Sequence, residues 1–103
     1  MEAAELLKRL NALASPQRLN IIRELCDGPL HVSDLARQLG VSRPLLYMHI
    51  SRLEEAGFVR GELKINEDGR LHKYFENVHF SLELSPPTIA ESMTIDRKED
   101  QNE

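Results

Sequence analysis

Residues 33–57 read SDLARQLGVSRPLLYMHISRLEEAG, and this stretch decides the fold. Its first half predicts a short helix that Ser33 caps and that ends at Gly40, where the backbone turns left-handed. Ser42 predicts the N-cap of a second helix, and Pro44 fits its first turn because N–H groups there have no partner within the helix. Two helices joined by so tight a turn predict a helix-turn-helix.

The second predicted helix, residues 42–56, has two unlike faces. Leu46, Ile50 and Leu53 recur at the spacing of one buried helix face. The opposite face is polar and partly basic, and it carries Arg43, Tyr47, Met48, Ser51 and Arg52. A helix that buries one face and presents the other is typical of the reading helix of a DNA-binding helix-turn-helix.

The length of the chain predicts one small domain, and the distribution of its charges is compatible with nucleic-acid binding. The chain has 103 residues and a net charge of −4. From Arg37 to Lys73 seven basic residues stand against five acidic ones, whereas the tail from Asp96 holds four acidic and two basic residues. The acidity therefore lies largely outside the predicted reading surface, which is itself mildly basic.

The sequence carries no sign of a membrane protein or of an enzyme. No apolar run approaches the roughly 20 residues that span a bilayer, and the N-terminus lacks the pattern of a signal peptide. We therefore expect a cytoplasmic protein with no membrane partner. The single Cys26 excludes an intrachain disulfide. A nucleophile motif and a phosphate-binding glycine loop are both missing, so no enzyme is predicted.

Two helices are predicted ahead of the helix-turn-helix. In residues 2–14 the leucines and alanines form a stripe wider than one packing partner needs. This stripe packs on the domain's own core or pairs in part with the same helix of a second copy, and we expect a homodimer through it. Ser15 and Pro16 then open the second helix. Its predicted buried face carries Leu19, Ile22, Leu25 and Cys26.

A β-hairpin is predicted after the helix-turn-helix. VRGELKI and RLHKYFEN flank a turn over residues 66–69 that ends in Asp-Gly, where glycine supplies the positive φ that closes a hairpin. Residues 30–32 predict one short strand beside it. A lone hairpin is marginal in water, so this one is expected to pack on the helices. Some of the following residues should provide that contact: Phe58, Leu63, Ile65, Leu71 and Phe75.

The C-terminal part of the chain is predicted to be less regular. Residues 79–84, HFSLEL, alternate apolar and polar positions and predict a further strand or an extended arm. Ser85 can cap one or two helical turns in the segment that follows. From Thr94 onward the apolar content is almost nil, and a disordered tail is expected.

The order of elements, two helices, a helix-turn-helix and a β-hairpin, resembles that of the winged helix-turn-helix transcriptional regulators. It is most similar to the ArsR-type family, in which the hairpin is called the wing. LASPQRLNIIREL resembles that family's second helix, and EDGRLHKYFE resembles its wing. Eight positions follow its pattern for the reading helix: Ser42, His49, Ile50, Leu53, Ala56, Gly57, Phe58 and Val59. The resemblance covers residues 5–77. It implies a mainly α fold with a small β-hairpin.

The expected organisation is a winged helix-turn-helix DNA-binding domain over residues 1–77. A C-terminal strand or arm, residues 78–93, and a disordered tail, residues 94–103, follow it. The arm is the second candidate for the dimer contact, through residues 79–93.

Two departures from the family bear on signal sensing. Metal-sensing members carry paired cysteines where this chain reads LHVSDL, and others bind zinc through a long C-terminal helix where this chain has HFSLEL and two prolines. Among the histidines, only His31 with Asp34 comes near a ligand pair, and a zinc site needs about four ligands. The other histidines, His49, His72 and His79, share no ligand spacing. We expect no metal and no cofactor.

The predicted partner is double-stranded DNA. A helix over residues 42–56 is about 21 Å long and fits a major groove about 12 Å wide, while the wing, residues 61–76, meets the backbone or the minor groove. Arg43 suits guanine, and Tyr47 or Met48 suits a thymine methyl group. The complete set of predicted DNA-binding residues is Arg37, Gln38, Ser42, Arg43, Pro44, Tyr47, Met48, Ser51, Arg52, Lys64, Arg70 and Lys73.

Two alternatives to a sequence-specific regulator remain at this point. The acidic total and the apolar Leu45, Tyr47 and Met48 also fit a winged-helix module that docks a protein without sequence-specific DNA binding. Derepression by a ligand or a metal is the other alternative, and the residues give it little support.

Overall fold

The structure is a computed structural model, and it describes residues 1–93. The predicted disordered tail, residues 94–103, lies outside the described residues. Across residues 1–93 the order of elements is the predicted one. The elements are α1 (Ala3–Leu13), α2 (Pro16–Glu24), a one-turn 3₁₀ helix (Leu25–Asp27), β1 (Leu30–His31), α3 (Val32–Leu39), α4 (Arg43–Glu55), β2 (Val59–Ile65), β3 (Leu71–Asn77) and α5 (Pro86–Ser92). No helix in the described part is long and apolar enough to cross a membrane.

The helix-turn-helix of α3 and α4 is confirmed, with one correction at its start. Gly40 ends α3 with φ +66°, and the Ser42 hydroxyl accepts a hydrogen bond of 3.3 Å from the Leu45 N–H. The prediction that Ser33 caps α3 is wrong. The helix begins at Val32, two residues earlier than a Ser33 cap implies, and the ring Nδ1 of His31 accepts the Ser33 N–H at 3.0 Å. An imidazole nitrogen thus does the work that the sequence rules assign to a hydroxyl.

The core lies between the helices and the base of the sheet. Leu46, Ile50 and Leu53 are completely buried, which confirms the predicted inner face of α4. The core residues come from α1 through β3, and they are Ala12, Ile21, Leu25, Val32, Leu35, Ala36, Leu46, Ile50, Leu53, Ala56, Phe58, Val59 and Phe75. Nine of these thirteen residues come from the helix-turn-helix and its flanks, so α4 is held firmly on the domain.

The predicted hairpin is confirmed as part of a three-stranded antiparallel sheet with the order β1-β3-β2. Strand β1 holds only Leu30 and His31, and the predicted third residue, Val32, starts α3 instead. Phe58 and Phe75 dock the sheet on the helices. The other apolar residues of the hairpin project from it: Leu63 is 60% exposed, Ile65 74% and Leu71 63%.

The predicted inner face of the second helix is half right. Leu25 is buried and Ile22 packs against the core, as predicted, whereas Leu19 is 52% exposed and Ile21 is buried instead. Cys26, predicted on the buried side, is exposed. The α-helix ends at Glu24 and continues as a 3₁₀ turn, whose three residues per turn rotate Cys26 away from the α-helical stripe.

Residues 78–85 form neither a helix nor a strand. Of the two predictions for residues 79–84, the strand is therefore wrong, and the extended arm stays a prediction. The Phe80 ring packs 4.4 Å from the Phe58 ring, so apolar docking holds this segment in place of a ladder of backbone hydrogen bonds. Ser85 caps α5 as predicted, in a capping box with Thr88.

Candidate nucleic-acid interface

The first turn of α4 and its cap hold three of the predicted DNA-binding residues. Ser42, Arg43 and Pro44 are all exposed, and the Ser42 hydroxyl is used for the helix cap. Arg43 Nη2 donates a hydrogen bond to the Ser33 hydroxyl of α3. Because a guanidinium carries five N–H donors, this bond orients Arg43 and leaves donors for a base or a phosphate.

The outer face of α4 continues with Tyr47, Met48 and Ser51, all exposed as predicted. Tyr47 is 42% exposed, and its ring meets the Phe75 ring edge-on at 6.1 Å. Met48 is 54% exposed. Tyr47 therefore lies between the reading helix and the wing, while Met48 faces outward.

Arg52 lies apart from the other predicted residues of α4. It lines a shallow groove between α1 and α4, together with Lys8, Asn11 and Arg18. A position beside α1 suits a contact with the DNA backbone better than one with a base edge, because the base-reading turn lies at the other end of α4. The prediction did not include Lys8 or Arg18.

Arg18 is a structural residue of this flank. Its Nε donates to the Ala12 carbonyl at 2.6 Å, its Nη2 to the Asn11 carbonyl at 3.1 Å and its Nη1 to His49 Nδ1 at 3.2 Å. Burial and the Arg18 charge lower the pKa of His49 below its usual range. His49 is therefore held neutral, and it joins α2 to α4 as a packing residue rather than as a ligand.

The predicted DNA-binding residues of α3, Arg37 and Gln38, are both exposed, but they are not equally free to contact the DNA backbone. Arg37 forms an ion pair of 2.8 Å with Asp34, in the first turn of the same helix. Gln38 is exposed beside it. Since Asp34 partly neutralises Arg37, a phosphate has to compete for its guanidinium.

The two lysines of the wing lie on opposite faces of the hairpin. Lys64 pairs across the ladder with His72, and Lys73 pairs with Leu63. Successive side chains of a strand alternate, so Lys73 shares the face of Phe75 while Lys64 shares the face of Tyr74. Each ammonium lies 5.6 Å from the ring that it covers. The structure thus brings Lys73 to the Tyr47 side and leaves Lys64 on the other side.

Gly61 makes room for the Lys73 side chain. A Cβ atom at Gly61 would lie 2.6 Å from Lys73 Cε and 2.9 Å from the Phe75 ring. Phe75 is buried and has no room to retreat. Only glycine therefore lets Lys73 lie across Phe75 here. A glycine within a strand pattern is the sequence feature that could have indicated such a close approach.

Arg70 is exposed at the turn of the wing, next to an acidic side chain. Its backbone N–H donates to Asp68 Oδ1 at 2.9 Å, and His72 Nε2 lies 3.1 Å from Asp68 Oδ2. The Arg70 N–H and the His72 ring lower the pKa of the Asp68 carboxyl, in that order of size. Asp68 stays ionised, so the wing tip carries one acidic and one basic group side by side. Within residues 1–93, no three His, Cys, Asp or Glu residues are arranged to hold a metal ion.

Known proteins resemble this chain in sequence. Residues 15–60 match the family described as bacterial regulatory protein, arsR family. An uncharacterized HTH-type transcriptional regulator of Methanocaldococcus jannaschii is 31% identical over 89 residues, which is 86% of this chain and 93% of that protein.

Solved structures share the fold. HlyU from Vibrio cholerae superposes with a TM-score of 0.61 at 25% identity, and the match covers 94% of this chain and 96% of that one. A possible ArsR-family regulator of Mycobacterium bovis superposes with the same TM-score at 17% identity, covering 96% of this chain and 82% of that one. The latter is described as a homodimeric winged helix-turn-helix DNA-binding domain. At 17% identity its likeness shows the fold alone.

Proposed function

This chain belongs to the ArsR family of bacterial regulatory proteins and is a DNA-binding transcription regulator, and from that premise we propose how it holds DNA. Helix α4 enters the major groove of double-stranded DNA with its first turn toward the bases. The wing lies on the neighbouring backbone or in the minor groove. The protein works in the cytoplasm and catalyses no reaction.

The observation that carries this proposal is the division of α4 into two faces. Leu46, Ile50 and Leu53 are completely buried, whereas Tyr47 and Met48 are 42% and 54% exposed. A helix fixed by its inner face presents its outer face without any rearrangement. Arg43, oriented by Ser33, is the proposed reader of guanine.

The other predicted residues divide into supporting roles. Lys73, Arg70 and Arg52 are proposed to bind phosphates from the wing and from the flank of α4. Lys64 is proposed to bind a phosphate only where DNA reaches the Tyr74 face of the wing. Gln38 and Arg37 are proposed to meet the backbone from α3, and Pro44 and Ser51 to line the contact.

Selection from random duplex DNA tests the proposal. Wild-type protein should enrich one sequence class, and fluorescence anisotropy should show tighter binding to the enriched duplex than to a scrambled duplex of equal length. Arg23→Ala is the matched control, because Arg23 is an exposed arginine on α2, outside the proposed surface. It should bind as the wild type does. Absence of enrichment, with no binding to either duplex at micromolar protein, would contradict the proposal and favour a protein-docking module.

We further propose a homodimer through α1 and the C-terminal arm, residues 2–14 and 79–93. Leu7 on α1 is 58% exposed, and Leu84, Ile89 and Met93 of the arm are 52%, 45% and 42% exposed. Apolar side chains exposed on two adjoining segments favour a contact with a second copy. The Mycobacterium bovis domain of the same fold is described as homodimeric.

Sedimentation equilibrium tests the dimer. The wild type should sediment as a dimer at micromolar concentration, and Leu7→Glu should shift it toward monomer. Leu63→Glu is the matched control, because Leu63 is equally exposed, at 60%, but lies on the wing. A wild-type monomer at high concentration, or equal effects of the two substitutions, would contradict this interface.

A further inference from the structure

Two histidines connect the turn of the wing to the start of α3. His72 Nε2 lies 3.1 Å from Asp68 Oδ2, and His72 Nδ1 lies 3.0 Å from His31 Nε2. His31 Nδ1 accepts the Ser33 N–H at 3.0 Å. These four residues, Asp68, His72, His31 and Ser33, form one continuous series of hydrogen bonds, which we call the histidine relay.

The relay also reaches the reading helix. Ser33 gives its N–H to His31, and its hydroxyl accepts a hydrogen bond from Arg43. Ser33 is therefore linked to the wing through His31 and His72, and it is bonded directly to the arginine proposed to read guanine. The two DNA-contacting parts of the domain share this residue.

The chemistry of the relay permits one protonation state. A backbone N–H only donates, so His31 Nδ1 carries no proton and the proton of the neutral ring is on Nε2. That N–H donates to His72 Nδ1, which must therefore be bare. The proton of His72 is then on Nε2, where it donates to the Asp68 carboxylate. Both rings are neutral, and every ring nitrogen has a partner.

We propose that His31 and His72 are positioning residues that hold the wing and Arg43 in their DNA-binding arrangement while both rings are neutral, and that protonation of the relay releases this arrangement. The proposal rests on the proposed function, because its consequence is a change in DNA affinity. A ring nitrogen that gains a proton changes from acceptor to donor, so the proposal makes DNA binding sensitive to pH.

The two rings differ in the charged groups around them. Asp68 is ionised and bonded to His72. On β2, Lys64 lies across the ladder from His72, with its ammonium over the Tyr74 ring. Glu62 lies across from Tyr74 and shares this face of the sheet.

Around His31 the surroundings give a proton no comparable partner. From β3, the Tyr74 ring meets it edge-on at 5.5 Å. From α3, the nearest carboxylate in the chain is that of Asp34, and it is paired with Arg37. A proton on His31 Nδ1 would also displace the Ser33 N–H and remove the cap of α3. A proton on His31 would therefore remove the cap of α3, whereas a proton on His72 would leave that cap in place.

A proton on His72 Nδ1 breaks the relay at its centre. His72 keeps its bond to Asp68, but its new N–H then faces the N–H of His31, and two donors repel. The backbone pairing of β1 with β3 is untouched, so the fold persists while the side-chain link between wing and α3 is lost. The wing then loses its side-chain link to Ser33, the residue that orients Arg43.

DNA affinity as a function of pH tests the functional part of the proposal. For the wild type on its selected duplex, affinity should fall roughly two- to tenfold between pH 7.5 and pH 5.5, the worth of one net hydrogen bond. His31→Asn should bind weakly at both values with no fall, because asparagine still caps α3 but is too short to reach His72. His79→Asn is the matched control, since His79 is exposed and outside the relay. It should keep the wild-type ratio.

Imidazole ¹⁵N spectra test the relay itself, independently of DNA. At pH 7.5 both His31 and His72 should carry their proton on Nε2, and the Ser33 amide resonance should move with the titration of His72. A proton on Nδ1 of either ring, or a Ser33 amide indifferent to that titration, would overturn the relay. If DNA binds with sequence preference but with a pH ratio equal in wild type and His31→Asn, the positioning role is wrong. If no DNA binds, the proposed function fails and the spectra alone decide on the relay.

Discussion

The reading helix and the wing are held to the domain by different means. Helix α4 buries Leu46, Ile50 and Leu53 completely in the core. The wing docks by Phe75 at its base, while its outer half, with Leu63 and Ile65, is 60% and 74% exposed. Polar contacts take the place of packing there. The orientation of α4 is thus part of the fold, whereas that of the wing depends on a few hydrogen bonds that can break without unfolding the domain.

Truncation of one leucine in each region should show the largest difference. Leu46→Ala should lower the free energy of unfolding by about 2 to 5 kcal/mol, because it opens a cavity in a closed core. Leu63→Ala removes the same atoms from an exposed position and should change the free energy of unfolding by less than about 0.5 kcal/mol. Urea unfolding of the two variants measures both values. Equal losses would show that the wing packs as tightly as the helix.

The caps of the two helices give a smaller contrast within the helix-turn-helix. Ser42→Ala should cost about 1 kcal/mol of unfolding free energy, because the Ser42 hydroxyl caps α4. Ser33→Ala should cost less than about 0.5 kcal/mol, since His31 caps α3 and the Ser33 hydroxyl only accepts from Arg43. Thermal or urea unfolding distinguishes the two. A larger loss for Ser33→Ala would contradict the assignment of the caps.

The smallest expected effect is the pH dependence of stability on the α4 side. Burial and Arg18 lower the pKa of His49, so the folded protein binds its proton less readily than the unfolded chain does. The free energy of unfolding should be constant above the ordinary histidine value of 6.5 and should fall as the pH drops below it. His49→Asn, which keeps an acceptor for Arg18, should reduce this fall.

The free energy of unfolding as a function of pH also distinguishes the α4 side of the molecule from the wing. His79→Asn should leave the pH dependence of stability as it is, because His79 is exposed. His31→Asn acts on the wing and should alter DNA affinity more than the free energy of unfolding. A pH profile of stability that is unchanged in His49→Asn would contradict the role of the Arg18–His49 contact.

The helix-turn-helix could be predicted because its determinants are local. The repeat of Leu46, Ile50 and Leu53, the glycine after α3 and the serine before α4 lie within one stretch of chain. The cap of α3 was missed because the rules for N-caps favour Ser33 over a histidine. Cys26 was misplaced because the periodicity of an α-helix was extended across a 3₁₀ turn.

The wing could be predicted as a hairpin but not as a functional surface. Which lysine faces the reading helix depends on the register, and only the pairing of Lys73 with Leu63 fixes it. The relay joins residues 31, 68 and 72, which come together only when β1 pairs with β3. Arg18 likewise binds carbonyls of α1 and a ring of α4. Contacts between distant parts of the chain leave no periodic trace in the sequence.

The central claim is that α4 reads bases while the wing binds the backbone. Its most direct test is the affinity of wild type, Arg43→Ala and Lys73→Ala for the selected and the scrambled duplex across a salt series. Arg43→Ala should lower the ratio of the two affinities by roughly 5- to 150-fold, the discrimination of one bidentate base contact. Lys73→Ala should keep that ratio, weaken both complexes and reduce the salt slope by roughly 0.9. An unchanged ratio in Arg43→Ala would contradict the claim.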